Sequence, residues 1–123
     1  MEDLKDVLKE YIDLTNAHDF LKMSHFLHDD CVINFNGNQW RGIDSLERYY
    51  VDAWNLLKDE NYWVTNVFWI KEDEMTKVCL YQYHFEGHTD GGEFISGTGK
   101  ATNVFVKVAG AWKLIHEHLS KEL

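Results

Sequence analysis

Leu4, Val7, Leu8, Tyr11, Ile12 and Thr15 recur at helical spacing along one side of the opening segment, and Glu2, Lys5, Asp6, Lys9, Glu10 and Asp13 occupy the other. The pattern predicts an amphipathic helix over residues 2–17. Asp19 is suited to cap a shorter second helix that runs to about Leu27, with Phe20, Met23 and Leu27 on its inner side, and stops near Asp29. Cys31 to Phe35 reads as a strand. The Asn36-Gly37 pair tolerates positive φ at both positions, which predicts a tight hairpin returning through Gln39 to Arg41. Asp44-Ser45-Leu46-Glu47 has the spacing of a capping box, and Leu46, Tyr50, Ala53, Trp54 and Leu57 mark the inner stripe of a third helix.

From Tyr62 the period changes to two, with β-branched and aromatic runs near 62–71, 77–87, 93–108 and 111–120. Turn signals at 71–76, 87–92 and Ala109-Gly110 separate them. Three helices and a hairpin followed by a four-strand antiparallel meander form an α+β layout, with helices on one face of a curved sheet. In the run from Val78 to Glu86, Cys79, Tyr81, Tyr83 and Phe85 share one face, while Val78, Leu80, Gln82, His84 and Glu86 share the other.

Composition narrows the function. The chain has 123 residues, no Pro and no low-complexity stretch, which is the size of one core. Five Trp, six Tyr and seven Phe are more aromatic area than a plain core of this size needs, so part of it is expected to line a cavity or an interface. The formal charge of −9 repels phosphate backbones and anionic membranes, so neither nucleic acid nor membrane is an expected partner. The charged opening segment lacks a signal-like apolar run, and the protein is read as cytoplasmic. Cys31 and Cys79 sit in apolar runs and are expected as free thiols.

Three local patterns, in order, resemble the nuclear transport factor 2-like superfamily with its SnoaL-like cyclases, ketosteroid isomerases and kinase association domains. They are Tyr11 to Asp19 leading into Leu27-His28-Asp29-Asp30, Gly42 opening the third helix, and Gly110-Ala111-Trp112 leading into His116-Glu117-His118-Leu119-Ser120. The resemblance implies a single domain over 1–123 in which a curved antiparallel sheet forms a cone over three N-terminal helices, the cystatin-like arrangement. It also implies a small-molecule pocket in the cone and a homodimer through the convex sheet face, where Val78, Leu80, Trp112 and Leu114 would be covered.

Set against ketosteroid isomerases, Tyr11 falls on the tyrosine that donates to the substrate oxyanion, and Tyr50 on a second tyrosine bonded to the first. Asn103 falls where isomerases hold a protonated aspartic acid, and an amide donates without any change of protonation. The isomerase base position holds Phe35, flanked by Asn34 and Asn36, none of which accepts a proton at neutral pH. Glu117 replaces it if the family register holds, with Ile115, Glu117 and Leu119 inward and Trp112, Leu114, His116 and His118 outward. Under the opposite register His116 and His118 point inward instead. By resemblance to kinase association domains, Tyr83 and Asn103 occupy positions of cavity arginines, which leaves the cavity suited to a neutral ligand.

Tyr11, Asn103 and Glu117 are therefore the expected catalytic residues. Phe35, Trp40, Tyr50, Trp54, Tyr83, Phe105 and Leu119 are the expected ligand contacts, although residues such as Trp40, Trp54 and Phe105 are more often simply core. The expected ligand is small and mostly apolar, with no cofactor or metal. Two functions compete: proton transfer beside a carbonyl, as in an isomerase, dehydratase or cyclase, and non-catalytic ligand binding or homo-association.

Overall fold

The structure is a computed structural model and describes residues 6–122, except the side chain of Asp6. Glu2, Leu4 and Lys5 of the predicted first helix lie outside the described residues. Helix α1 spans Asp6–Ala17 and buries Val7, Leu8, Tyr11, Ile12 and Thr15, the stripe marked by the spacing. On its exposed side Lys9 and Asp13, one turn apart, form an ion pair of 2.9 Å. Helix α2, Phe20–Phe26, begins at Asp19, whose carboxylate accepts from the Lys22 amide at 3.3 Å.

Helix α2 ends earlier than the spacing suggested. Leu27 is already extended at φ −87°, ψ 135°, and strand β1 runs Leu27–Phe35, so His28, Asp29 and Asp30 belong to a strand. The cause is a distant partner, since Leu27 pairs with Leu114 across the sheet. Asn36 (φ 57°) and Gly37 (φ 84°) make the hairpin turn into β2, Asn38–Arg41.

The capping box at Asp44 does not form. Gly42, at φ 84° and ψ 151°, turns the chain directly from β2 into α3, Ile43–Leu56, and its carbonyl accepts from the Leu46 amide at 2.9 Å. The helix thus starts ahead of Asp44, which stands in its first turn beside the positive end of the helix dipole. Leu46, Tyr50, Trp54 and Leu57 are buried as expected, whereas Ala53 is exposed.

The meander follows as β3 Asn61–Glu72, β4 Thr76–His88, β5 Phe94–Val108 and β6 Ala111–Lys121. The six strands form one curved sheet in the order β2-β1-β6-β5-β4-β3. All pairings are antiparallel except β1 with β6, which is parallel and joins the hairpin to the meander. The core lies between the three helices and the concave face, with Cys79, Tyr81 and Tyr83 of β4 pointing into it. Cys31 and Cys79 are buried free thiols, and burial, then the nearby Glu117, pushes each up to about 12. Among the described residues no helix is long and apolar enough to cross a membrane.

One bulge decides the site. Val104 pairs with His116 but Phe105 pairs with Leu114, so Ile115 is an extra residue in β6. Before the bulge Leu114 turns into the core at 0% exposure, and Trp112, on the same side, packs against that core. The outward placement expected for Leu114 and Trp112 and the inward one for Ile115 are corrected accordingly. After the bulge Glu117 and Leu119 face inward, while His118 is exposed. His116 is half-buried on the other side, and its Nδ1 donates to the Val32 carbonyl at 2.9 Å, the only role a carbonyl oxygen leaves it.

Candidate active site

The helices and the concave face enclose an open-ended cavity of about 230 Å3. Glu117 lies at its inner end, 2% exposed. Tyr11 of α1 donates to Glu117 Oε1 at 2.8 Å, and its hydroxyl oxygen sits 2.7 Å from that of Tyr50. Because the single Tyr11 proton is committed to the carboxylate, Tyr50 is the donor in the Tyr50–Tyr11 bond. On the other oxygen, Oε2, Tyr81 donates at 3.2 Å. Asn103, with its amide nitrogen toward the carboxylate, donates to Oε2 at 3.0 Å. One buried carboxyl thus gathers donors from α1, β4 and β5.

These bonds favour the ionised carboxylate, yet burial among apolar side chains outweighs them and pushes Glu117 up to about 7. The group is therefore poised to exchange protons near neutral pH. Tyr11 is held well above the ordinary phenol range, first by burial and then by the Glu117 charge, so it serves as a hydrogen-bond donor and not as a phenolate. Tyr50 and Tyr81 are raised for the same leading reason.

The sequence-derived residues separate into two groups. Tyr11, Phe35, Tyr50, Trp54, Tyr83, Glu117 and Leu119 line the cavity. Asn103, Phe105 and Trp40 are not part of its wall. Asn103, expected as a direct oxyanion donor, is at 0% exposure outside the wall, where it touches the Glu117 carboxylate instead of the open space. Phe105 is also fully buried and plugs the space beneath Tyr11, packing edge-on against it at 6.4 Å and against Phe26 at 6.1 Å. Trp40, on the hairpin, packs on Tyr49 at 4.7 Å. Both were expected as ligand contacts, and both pack against neighbouring rings outside the cavity wall.

Phe85, on the aromatic face that alternation marked in β4, is also in the wall, and other wall residues were not singled out by the sequence. Tyr62 and Phe85 flank Tyr83, the ring pairs being 6.1 Å and 6.5 Å apart and nearly parallel. For Tyr62 the alternation on β3 was the available signal. Tyr49 follows the same helix as Tyr50, one residue before it. Glu60, in the connection from α3 to β3, carried no signal. It is half-buried in the wall, and burial pushes its carboxyl up to about 7. Trp54 is fixed from below by donating Nε1 to the Thr15 carbonyl at 3.0 Å and by stacking on His18 at 5.3 Å. Among the described residues no three His, Cys, Asp or Glu side chains converge as a metal site would require.

A curved six-stranded sheet closed by three helices is the nuclear transport factor 2-like fold. Within that class the chain belongs to the SnoaL-like domain family, whose model matches residues 4–122. No curated protein matches it in sequence. Among solved structures it is similar to a nuclear transport factor 2-like superfamily protein from Salmonella enterica serovar Typhimurium, with TM-score 0.85 and 14% identity over 96% of this chain and 87% of that one. It is also similar to a putative calcium/calmodulin dependent protein kinase II association domain from Xanthomonas campestris, with TM-score 0.83 and 15% identity over 94% and 83% of the two chains. A hexachlorocyclohexane dehydrochlorinase, LinA type 2, aligns with TM-score 0.80 and 14% identity over 96% and 82%. At these identities the likeness is one of fold.

Proposed function

We propose that this domain binds a small, mostly apolar carbonyl compound in its cavity and moves a proton next to the carbonyl, with Glu117 as the base. The observation that carries the reading is a carboxyl at about 7 that is both buried and exposed to the cavity, with a tyrosine on the same wall. In the proton-transfer step the C–H bond beside the carbonyl breaks, the proton passes to Glu117, and the electron pair moves onto the carbonyl oxygen. Once Glu117 is protonated, Tyr11 no longer faces an anion at Oε1. Its hydroxyl proton is then available to the developing oxyanion. Return of the proton at a second carbon gives isomerisation, and loss of a leaving group gives elimination. Asn103 and Tyr81 hold the carboxylate in place.

The test needs no known substrate. A panel of apolar ketones is incubated with the protein in D2O, and deuterium entry beside the carbonyl is followed by NMR. The expected result is exchange that rises with pH and levels off above about 7, as Glu117 ionises, and that falls at least about 100-fold in Glu117→Gln, within the range general bases contribute. Exchange that persists unchanged in Glu117→Gln overturns the assignment of the base.

A second reading, a non-catalytic ligand-binding or association module, is favoured by one observation: the Glu117 carboxylate is already occupied by three protein donors. Under that reading no ketone in the panel exchanges although ligands still bind. For either reading we propose a homodimer through the convex sheet face, supported by the exposed Trp63, Phe68 and Leu80 there. We place the protein in the cytoplasm, where its two buried cysteines remain thiols.

A further inference from the structure

The charge of the cavity wall carries information about its ligand that the aromatic content alone does not. Among the described wall residues the only ionisable groups besides phenols are Glu117 at the inner end and Glu60 on the wall; no Lys, Arg or His contributes. Two carboxyls in one small apolar space are unfavourable together, and neither has a cation beside it. Each is held partly protonated near neutral pH by burial, so the wall by itself carries less than its full negative charge. Glu117 is bonded to its tyrosines and Asn103, but Glu60 has no such set of donors, and burial alone accounts for its shift.

Most of the remaining wall is aromatic. Tyr50 and Trp54 of α3, 5.5 Å apart, stand on one side, and the stacked series Tyr62, Tyr83 and Phe85 stands on the sheet side. Rings contributed from two walls are the arrangement that attracts a cation through their quadrupoles.

We propose that the cavity selects a cationic ligand, an apolar amine or quaternary ammonium compound, with the cation held between the aromatic walls and neutralised by Glu60 and Glu117. This rests on the non-catalytic ligand-binding reading above and narrows its ligand to a cation. A cation entering the wall favours ionisation of both acids, so ligand and carboxylates stabilise each other. An anionic ligand meets two carboxyls and no compensating base, and is excluded. The overall charge of −9 draws cations toward the protein and acts in the same direction.

The experiment compares three probes that share a benzyl group: benzyltrimethylammonium, its neutral isostere neopentylbenzene, and phenylacetate. Affinities are read from tryptophan fluorescence, to which Trp54 on the wall contributes, and checked by calorimetry at pH 7.5. The expected order is ammonium over neutral isostere by at least tenfold, with phenylacetate not bound. Glu60→Gln, at a half-buried wall position, is expected to keep the circular dichroism spectrum, cut ammonium affinity several-fold and leave the neutral isostere unchanged. Equal or tighter binding of neopentylbenzene overturns the cationic proposal and leaves the apolar binding site standing. Failure of every probe, at concentrations where a Trp54→Ala control confirms that cavity fluorescence is being read, overturns both.

Discussion

Glu117 illustrates at the scale of one residue how opposed terms set a function. Three hydrogen bonds pull its pKa down and burial pulls it up, and burial wins, leaving the group at about 7 against an ordinary 4.5. The folded protein therefore binds a proton between those two values that the unfolded chain has released. Stability contributed by the protonated carboxyl is complete below about 4.5 and is lost as pH rises through about 7, an effect on the order of 3 kcal/mol for this shift. Glu60 shifts in the same direction. Thermal melts of the wild type and Glu117→Gln from pH 5 to 8 should diverge, the wild type losing more Tm toward pH 8; parallel curves would show that Glu117 has an ordinary pKa. The comparison with the variant cancels the histidines, including His18, whose burial lowers its pKa and whose effect has the opposite sign.

At the scale of elements, the site depends on how β4, β5 and β6 fit together. Gly99 of β5 lies against Tyr83 and β6: a Cβ there would stand 2.5 Å from the Tyr83 hydroxyl and would overlap the Ser120 backbone oxygen. The absence of a side chain is what lets Tyr83 lie flat in the wall beside Tyr62. Gly99→Ala is expected to cost about 1–3 kcal/mol, the range for overpacking a tight site, and to weaken any cavity ligand as Tyr83 is displaced. Denaturant unfolding measures the first effect, and an unchanged midpoint would mean that β6 yields without cost. Hairpin turns were legible as sequence because their backbone requirement is local: Asn36-Gly37 and Ala109-Gly110 all take positive φ. The bulge at Ile115 was not legible, because it exists only relative to β5.

On the scale of the whole molecule, the convex face is the unfinished surface. Phe68 pairs with Leu80, Leu80 with Thr102, and Thr102 with His118, a row crossing four strands on the side away from the core. Phe68 is 61% exposed and Leu80 37%. Trp63, stacked on His84 at 5.3 Å, extends the same surface. An apolar area of this kind in water is expected to be covered, and sheet-to-sheet pairing of two copies covers it symmetrically. Light scattering after gel filtration should give the mass of a dimer for the wild type and of a monomer for Phe68→Glu, with the circular dichroism spectrum kept. A wild type that runs as a monomer at every concentration would reject the pairing.

The sequence by itself determined the order of the elements and the apolar faces of α1 and β4. Helical spacing marked the inner stripe from Val7 to Thr15, and alternation marked Tyr81 and Tyr83, because both signals are carried by residues close in the chain. Resemblance brought Tyr11, Tyr50 and Glu117 forward and paired the two tyrosines, as the structure has them, but did not set Glu117 against Tyr11. Only the tertiary structure decided that relation. Tyr11 and Glu117 are 106 positions apart in sequence and 2.8 Å apart in space, brought there by the parallel pairing of β1 with β6 and the bulge that fixes the register of Glu117. It also decided depth, leaving Asn103 and Phe105 outside the wall and bringing Glu60 into it. Depth depends on what packs above a residue, and that is set by elements far away along the chain.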